Sequence, residues 1–239
     1  MVGWVVPPPR RPRKTREEFA RERWEKVRWL VGEGLLRSER IRIAMLKVPR
    51  EEFIPEMYRD YAYLEVPLPI PGRQATISCP HSYPLFYEAM GLREEDRFLE
   101  VGTGSGYGAA LAREIVGDDG MVVTIEIDDD TYEFAKANLR RLGYDDVLAI
   151  LGDGSLGCPS RAPFDKVCIP AACPRVPPPL IRQLSPDGRL VAPVGEPGHP
   201  QDLVLLEMAH DGTVRTRVIE RVLYVPLRGE HGWRLLSSM

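Results

Sequence analysis

Side-chain amides are almost missing from this chain: 239 residues include one asparagine, Asn138, and three glutamines. Arg, Glu and Pro are abundant instead, a bias found in proteins from hot environments. No apolar run approaches the roughly 18 residues that a membrane-spanning helix needs. The first residues also lack the apolar stretch of a secretory leader, so the expected location is the cytoplasm and no membrane partner is expected. Cysteine is scarce. Cys79, Cys158, Cys168 and Cys173 have neither paired-cysteine nor Cys/His ligand spacing, which argues against structural zinc, and no metal is expected. Cys168 and Cys173 flank a predicted strand end and read as small buried residues. Disulfides would be unusual in a reducing compartment, hyperthermophiles excepted.

What is present divides unevenly. The net charge is −3, yet residues 1–50 carry 14 Lys and Arg against six Glu, leaving the remainder at −11. A basic arm on an acidic body suits a nucleic acid or another acidic surface, although a solvated helix and tail explain it more simply. A hydrophobic content of 44% over this length is enough for one large domain.

Residues 1–14, with Pro7-Pro8-Pro9 and Arg10-Arg11-Pro12-Arg13-Lys14, predict an extended, mobile tail. Thr15 and Glu18 have capping-box spacing, and Phe19, Trp24, Val27 and Leu30 give the following helix an apolar stripe. Gly32 and Gly34 end it, and Ser38 caps a second helix carrying Ile41, Met45 and Leu46. Residues 48–74 are irregular, and a loop of that length in a compact domain is usually functional. From residue 97 the pattern alternates strictly. Strands are expected at 97–102, 121–127, 147–151, 164–169 and 189–194, with helices at 106–116, 130–142 and 178–184. That alternation means a doubly wound α/β fold with a mostly parallel sheet. Residues 202–207 and 214–225 finish the sheet as an antiparallel hairpin turning near Asp211-Gly212. The expected organisation is a tail (1–14), N-terminal helices with a site loop (15–96) and a ligand-binding α/β body (97–239), the last two forming one structural domain.

Ligands of open α/β sheets sit at the carboxyl ends of the strands. The first strand ends in Glu100-Val101-Gly102 and turns through Gly104 and Gly106 into a helix. A dinucleotide fingerprint would need glycine at 107, where this chain has Tyr107. An acid before the turn also suits a cationic ligand better than a pyrophosphate. S-adenosylmethionine, with an ammonium, a sulfonium and no phosphate, fits better than NAD. Glu126 ends the second strand 24 residues after Gly102, where a carboxylate accepts from both ribose hydroxyls. Asp153 ends the third, within reach of an adenine amino group.

The chain resembles the protein-L-isoaspartate O-methyltransferases from about residue 35 to 233. The resemblance rests on Val48-Pro49-Arg50-Glu51 through Asp60, Ala75-Thr76-Ile77-Ser78, Glu100 to Tyr107, Phe164-Asp165 through Gly188 to Gly195, and Tyr224 to Leu227. It implies S-adenosylmethionine as cofactor and isoaspartyl proteins and peptides as partners. It also implies methylation of the freed α-carboxylate, whose ester re-forms a succinimide and so repairs the chain. The implied cofactor shell is Ala75, Thr76, Ile77, Ser78, Glu100, Gly102, Gly104, Gly106, Glu126, Ile127, Asp153 and Gly154. Ser78 corresponds to the family's active-site serine. We read it as a hydroxyl that orients the incoming carboxylate, a role compatible with capping the next helix. Thr76, Ser78, Ala171, Ala172 and His231 are the implied substrate contacts, and His81 stands near the entrance. Cys79, Tyr83, Pro170 and Cys173 depart from the residues usual in the family. A methyltransferase acting on RNA is the runner-up because of the basic arm, but no Asn/Asp-Pro-Pro-Tyr motif follows the fourth strand. A non-catalytic adaptor that recognises isoaspartyl ends is the third reading.

Overall fold

The structure is a computed structural model that describes residues 6–233. Residues 1–5 of the tail and 234–239 of the body lie outside the described residues. Among the described residues there are six α-helices: α1 (Arg16–Gly32), α2 (Glu39–Lys47), α3 (Ser82–Met90), α4 (Tyr107–Val116), α5 (Asp129–Arg141) and α6 (Pro178–Arg182). The strands are β1 (Leu68–Pro69), β2 (Thr76–Ile77), β3 (Arg97–Val101), β4 (Met121–Glu126), β5 (Leu148–Leu151), β6 (Phe164–Cys168), β7 (Leu184–Val194), β8 (Gln201–Met208) and β9 (Val214–Val222).

Seven strands form one sheet in the order β5-β4-β3-β6-β7-β8-β9. The first five are parallel, and β8 and β9 are antiparallel. β3 and β6 are neighbours from which the chain winds outwards in both directions. This is the switch point where an open α/β sheet leaves a crevice. β3 and β4 are covered on both faces, so their cores are apolar on both sides, interrupted by Glu100 and Thr124. Val101, Leu99, Val123 and Phe98 are almost wholly shielded. Helix α4 is buried nearly all round. Leu111, Ile115 and Val116 are fully covered, each adding about 1.5–3 kcal/mol. Strand β7 starts earlier than the expected 189–194 and takes in Pro186-Asp187-Gly188, with a shift in its register against β6 between Phe164 and Lys166.

Of the N-terminal helices, α2 packs onto α4 and α1 onto α2, and one apolar cluster runs from Phe19 and Leu30 through Phe53 and Met90 to Leu111 and Leu205. Thr15 caps α1 with the reciprocal Glu18 bond, and Ser38 accepts from the Ile41 amide at the start of α2. Trp24 departs from the expected stripe: it is 52% exposed, with Arg28 over its ring. All four cysteines are free thiols.

The tail is extended as expected but, across its described residues, docked rather than loose. Arg10 N donates to Met57 O, Tyr61 Oη donates to Pro8 O, and Arg10 lies 4.5 Å over the Tyr61 ring. Its anchor is the buried carboxylate of Asp60. That group accepts from Arg10 Nε (3.0 Å) and from the Arg13 and Lys14 amides (3.1 and 3.3 Å). Proline content suggested mobility, whereas a buried acid 46 residues away supplies the docking site. Deleting residues 1–14 strips Asp60 of these donors and should cost about 2–3 kcal/mol. Thermal melts would show a fall of about 2–4 °C per kcal/mol. Arg11→Ala, at an exposed position without such contacts, should leave the melting temperature unchanged.

Candidate active site

The carboxyl ends of β3, β4 and β6 open into a cavity, the place where ligands of open α/β sheets sit. Its floor is the turn after β3. Gly102, Gly104 and Gly106 have φ of +102°, +56° and +86°, a region closed to most side chains. The turn delivers Gly104 N to Glu126 Oε2 (3.1 Å). Glu126 Oε1 also accepts from the Ile127 and Asp128 amides. Burial raises the Glu126 carboxyl, and these amides work against that rise. Glu126 is therefore fixed at the end of β4 by its own backbone, with its remaining lone-pair capacity available at the cavity wall.

Glu100 is the unusual group. It is buried, lines the cavity, and has no cation paired with it among the described residues. Thr124 Oγ1 donates to its Oε2 at 2.8 Å. Desolvation pushes its carboxyl up to about 8, against that hydrogen bond and with a contribution from Glu126. Gly108 makes room for it, since a Cβ there would collide with Glu100 Oε1. A glycine in the first turn of a helix lowers helix propensity, and that local conflict is the sequence signal of this close approach.

The opposite wall is β2 with its flanks, Ala75, Thr76, Ile77 and Ser78. Gly154, Ile125, Ile127, Pro170, Ala171 and Leu227 complete the lining. A buried arginine holds the Ser78 segment. Arg50 Nη2 donates to Ser78 O (2.7 Å) and Nε to Ala62 O (2.6 Å), and the guanidinium sits 5.8 and 5.4 Å from the Tyr83 and Tyr107 ring centroids. Ser78 does not cap α3. His81 occupies the cap position, without a side-chain cap bond.

Most of the expected residues meet here, and four do not. Gly106 turns towards α5, where a Cβ would touch Leu139 and the Ala135 carbonyl. Its part is conformational. Asp153 is not among the residues lining the cavity: its carboxylate accepts from Ser155 N and Oγ and from Glu230 N. Ala172 is fully buried and its backbone pairs with Val225 and Leu227. His231 donates its amide to Ser155 Oγ, so it latches the C-terminal segment onto the end of β5. Sequence reasoning passed over Arg50, Gly108, Arg228 and Asp128. The last two form an ion pair at 3.0 Å between residues 100 apart and close one side of the cavity. Although burial opposes it, Arg228 and the Thr131 and Arg73 amides hold the Asp128 carboxyl below its usual range.

A second cleft of about 1180 Å³ shares Thr76, Ser78, Pro170 and Val225 with the first. Residues 22–232 match the family described as Protein-L-isoaspartate(D-aspartate) O-methyltransferase. The chain belongs to this family. A Methanopyrus kandleri protein-L-isoaspartate O-methyltransferase is 45% identical over 217 residues, 90% of this chain and 95% of that protein. A solved protein-L-isoaspartate O-methyltransferase superposes with a TM-score of 0.80 at 31% identity, over 88% of this chain and 67% of the other. A Plasmodium falciparum structure containing S-adenosyl-L-homocysteine has the same fold, with a TM-score of 0.74 at 22% identity over 85% of this chain and 97% of that one.

Proposed function

We infer that this family member is a protein-L-isoaspartate O-methyltransferase. It moves a methyl group from S-adenosylmethionine to the free α-carboxylate of isoaspartyl residues in proteins and peptides. The observation that carries the reading is Glu100, an uncompensated buried carboxylate in a cavity that meets a second cleft at Thr76 and Ser78. A buried acid without a partner is expensive, and a cationic ligand supplies the missing charge.

Glu100, the Gly102–Gly104 turn, Glu126, Ile127 and Gly154 would hold the cofactor, with Ala75 to Ser78 against its far side. Bound there, S-adenosylmethionine supplies an electrophilic methyl group on a sulfonium. The substrate carboxylate is ionised at neutral pH, so no residue has to remove a proton before attack. What remains for the chain is alignment and exclusion of water. The Ser78 hydroxyl donates to the carboxylate oxygen that is not transferring and so fixes the attacking one. Ala171, the smallest side chain that keeps the wall apolar, leaves space for a peptide backbone. We place the peptide in the second cleft, which reaches Ser78 from the side of β9.

The deciding assay is transfer of tritiated methyl to an isoaspartyl peptide and to its normal aspartyl twin. Label on the first alone is expected, and equal labelling would overturn the substrate assignment. Ser78→Ala should lower turnover about 10²-fold, the scale of a lost positioning contact, with little change in cofactor affinity. Full activity of that variant would remove Ser78 from the mechanism. The RNA reading loses its main motive because Arg10 and Lys14 already pair with Asp60 and Glu22. Binding of isoaspartyl peptide without label transfer would be the mark of an adaptor.

A further inference from the structure

Beyond Ser78 the second cleft holds three groups for which methyl transfer has no use. Glu65 precedes β1, and Cys79 and His81 lie between β2 and α3. One ligand atom from each lies within 4.8 Å of the others. His81 Nδ1 is 2.5 Å from Glu65 Oε2, and Lys26 Nζ is 2.9 Å from the other oxygen, Oε1. All three are half-buried and line the cleft. Cys158, Cys168 and Cys173 are buried, so among the four thiols Cys79 is the accessible one.

We propose that Glu65, Cys79 and His81 form a three-ligand site for one divalent cation of borderline softness, with Zn²⁺ the best fit. The donor set of sulfur, imidazole nitrogen and carboxylate oxygen matches zinc and not Mg²⁺ or Ca²⁺, which take oxygen. The charges also match. A thiolate, a carboxylate and a neutral imidazole balance a dication. With metal–ligand bonds of about 2.0–2.3 Å, tetrahedral ligands stand about 3.3–3.8 Å apart. The metal takes the place of the proton between His81 and Glu65, and that contact widens by about 1 Å. The imidazole keeps its one proton on Nε2, the Cys79 thiol proton leaves to solvent, and no atom changes oxidation state. Lys26 keeps Oε1 and orients the carboxylate from outside, as supporting partners of metal ligands do. Its positive charge, and that of Arg50 behind Cys79, weakens the site without removing a ligand.

Three protein ligands leave a fourth position open. It faces the cleft shared with Thr76, Ser78 and Pro170, so an occupied site narrows the approach to Ser78. This consequence rests on our reading of the cleft as the peptide channel, whereas metal binding does not. The test titrates the full chain, reduced and free of chelators, with Co²⁺ and then Zn²⁺. One equivalent of Co²⁺ should bind with a sulfur-to-cobalt charge-transfer band in the near ultraviolet, and Zn²⁺ should abolish that band. Cys79→Ser should remove the band. His81→Gln, which keeps the thiol, should weaken Zn²⁺ binding by about tenfold or more. No band in the parent protein at millimolar cobalt, or a band that survives Cys79→Ser, overturns the site. Zn²⁺ should raise the KM for isoaspartyl peptide and leave cofactor affinity unchanged. An unchanged KM with one equivalent bound overturns the link to the cleft and leaves the metal site standing.

Discussion

Glu100→Gln should deprive the protein of its cofactor and stabilise the ligand-free form above neutral pH. Both effects come from one buried charge. Unfolded, the Glu100 carboxyl titrates at the ordinary value of 4.5; folded, burial lifts it to about 8. Below pH 4.5 the group is protonated in both states and has no effect. Between pH 4.5 and about 8 unfolding releases its proton, so its contribution falls as pH rises. The slope is at most about 1.4 kcal/mol per pH unit, and it ends above the folded value. Glutamine copies the neutral form and keeps an acceptor for Thr124, so this slope disappears. Melting curves of the two ligand-free proteins from pH 5 to pH 9 should separate as pH rises, with the variant above the parent. A cationic ligand beside Glu100 reverses the balance, because charge then gains a partner. Saturating S-adenosylmethionine should therefore flatten the parent's slope. Loss of one member of a buried charge pair costs about 3 kcal/mol or more, roughly a 10²-fold rise in the Kd for S-adenosylmethionine. Curves that stay parallel across the pH range, with an unchanged Kd, would falsify the assignment of Glu100 as the cation's partner.

Glu100 also marks how much of this molecule is legible in its sequence. The strand, glycine turn and helix at 97–116 are local, and their residues state their geometry directly. The same holds for the capped helices α1 and α2 and for the alternation that sets up the sheet. The acids at the strand ends are legible along the chain, but the contacts that one of them, Asp153, makes within the protein are not. Its oxygens are taken by Ser155 and by Glu230, 77 residues later, and no local pattern announces such a contact. The docking of the tail is hidden for the same reason, since Asp60 is a remote residue. Trp24 fits the helical period and is nevertheless exposed, because periodicity gives a face and not what covers it. Gly108 did carry a signal, a glycine in a helix start, whereas Arg50 stands among Glu51, Glu52 and Asp60 in the sequence, and only the fold shows that none of them pairs with it.

Arg50→Lys should then cost more than its apparent conservatism suggests. The guanidinium is fully buried and has no carboxylate partner among the described residues. It is held by two carbonyls and two aromatic faces, and Nη1 has no hydrogen-bond partner. A planar fork reaches Ala62 O and Ser78 O together, whereas an ammonium on a linear stem meets one of them and loses the stacking. One orphaned buried carbonyl and the lost stacking amount to about 2–3 kcal/mol, read as a fall of about 2–4 °C in melting temperature per kcal/mol. A purely structural arginine would show only that fall. Because Arg50 grips Ser78, the residue we propose orients the substrate carboxylate, turnover measured well below the melting point should also drop about tenfold or more, with the Kd for S-adenosylmethionine close to that of the parent. The pair also makes a sharper prediction. If Arg50 acts through Ser78, adding Arg50→Lys to Ser78→Ala should cost far less turnover than it does alone, since the hydroxyl it positions is already gone. Fully additive losses, or normal turnover in the single variant, would reduce Arg50 to a packing residue.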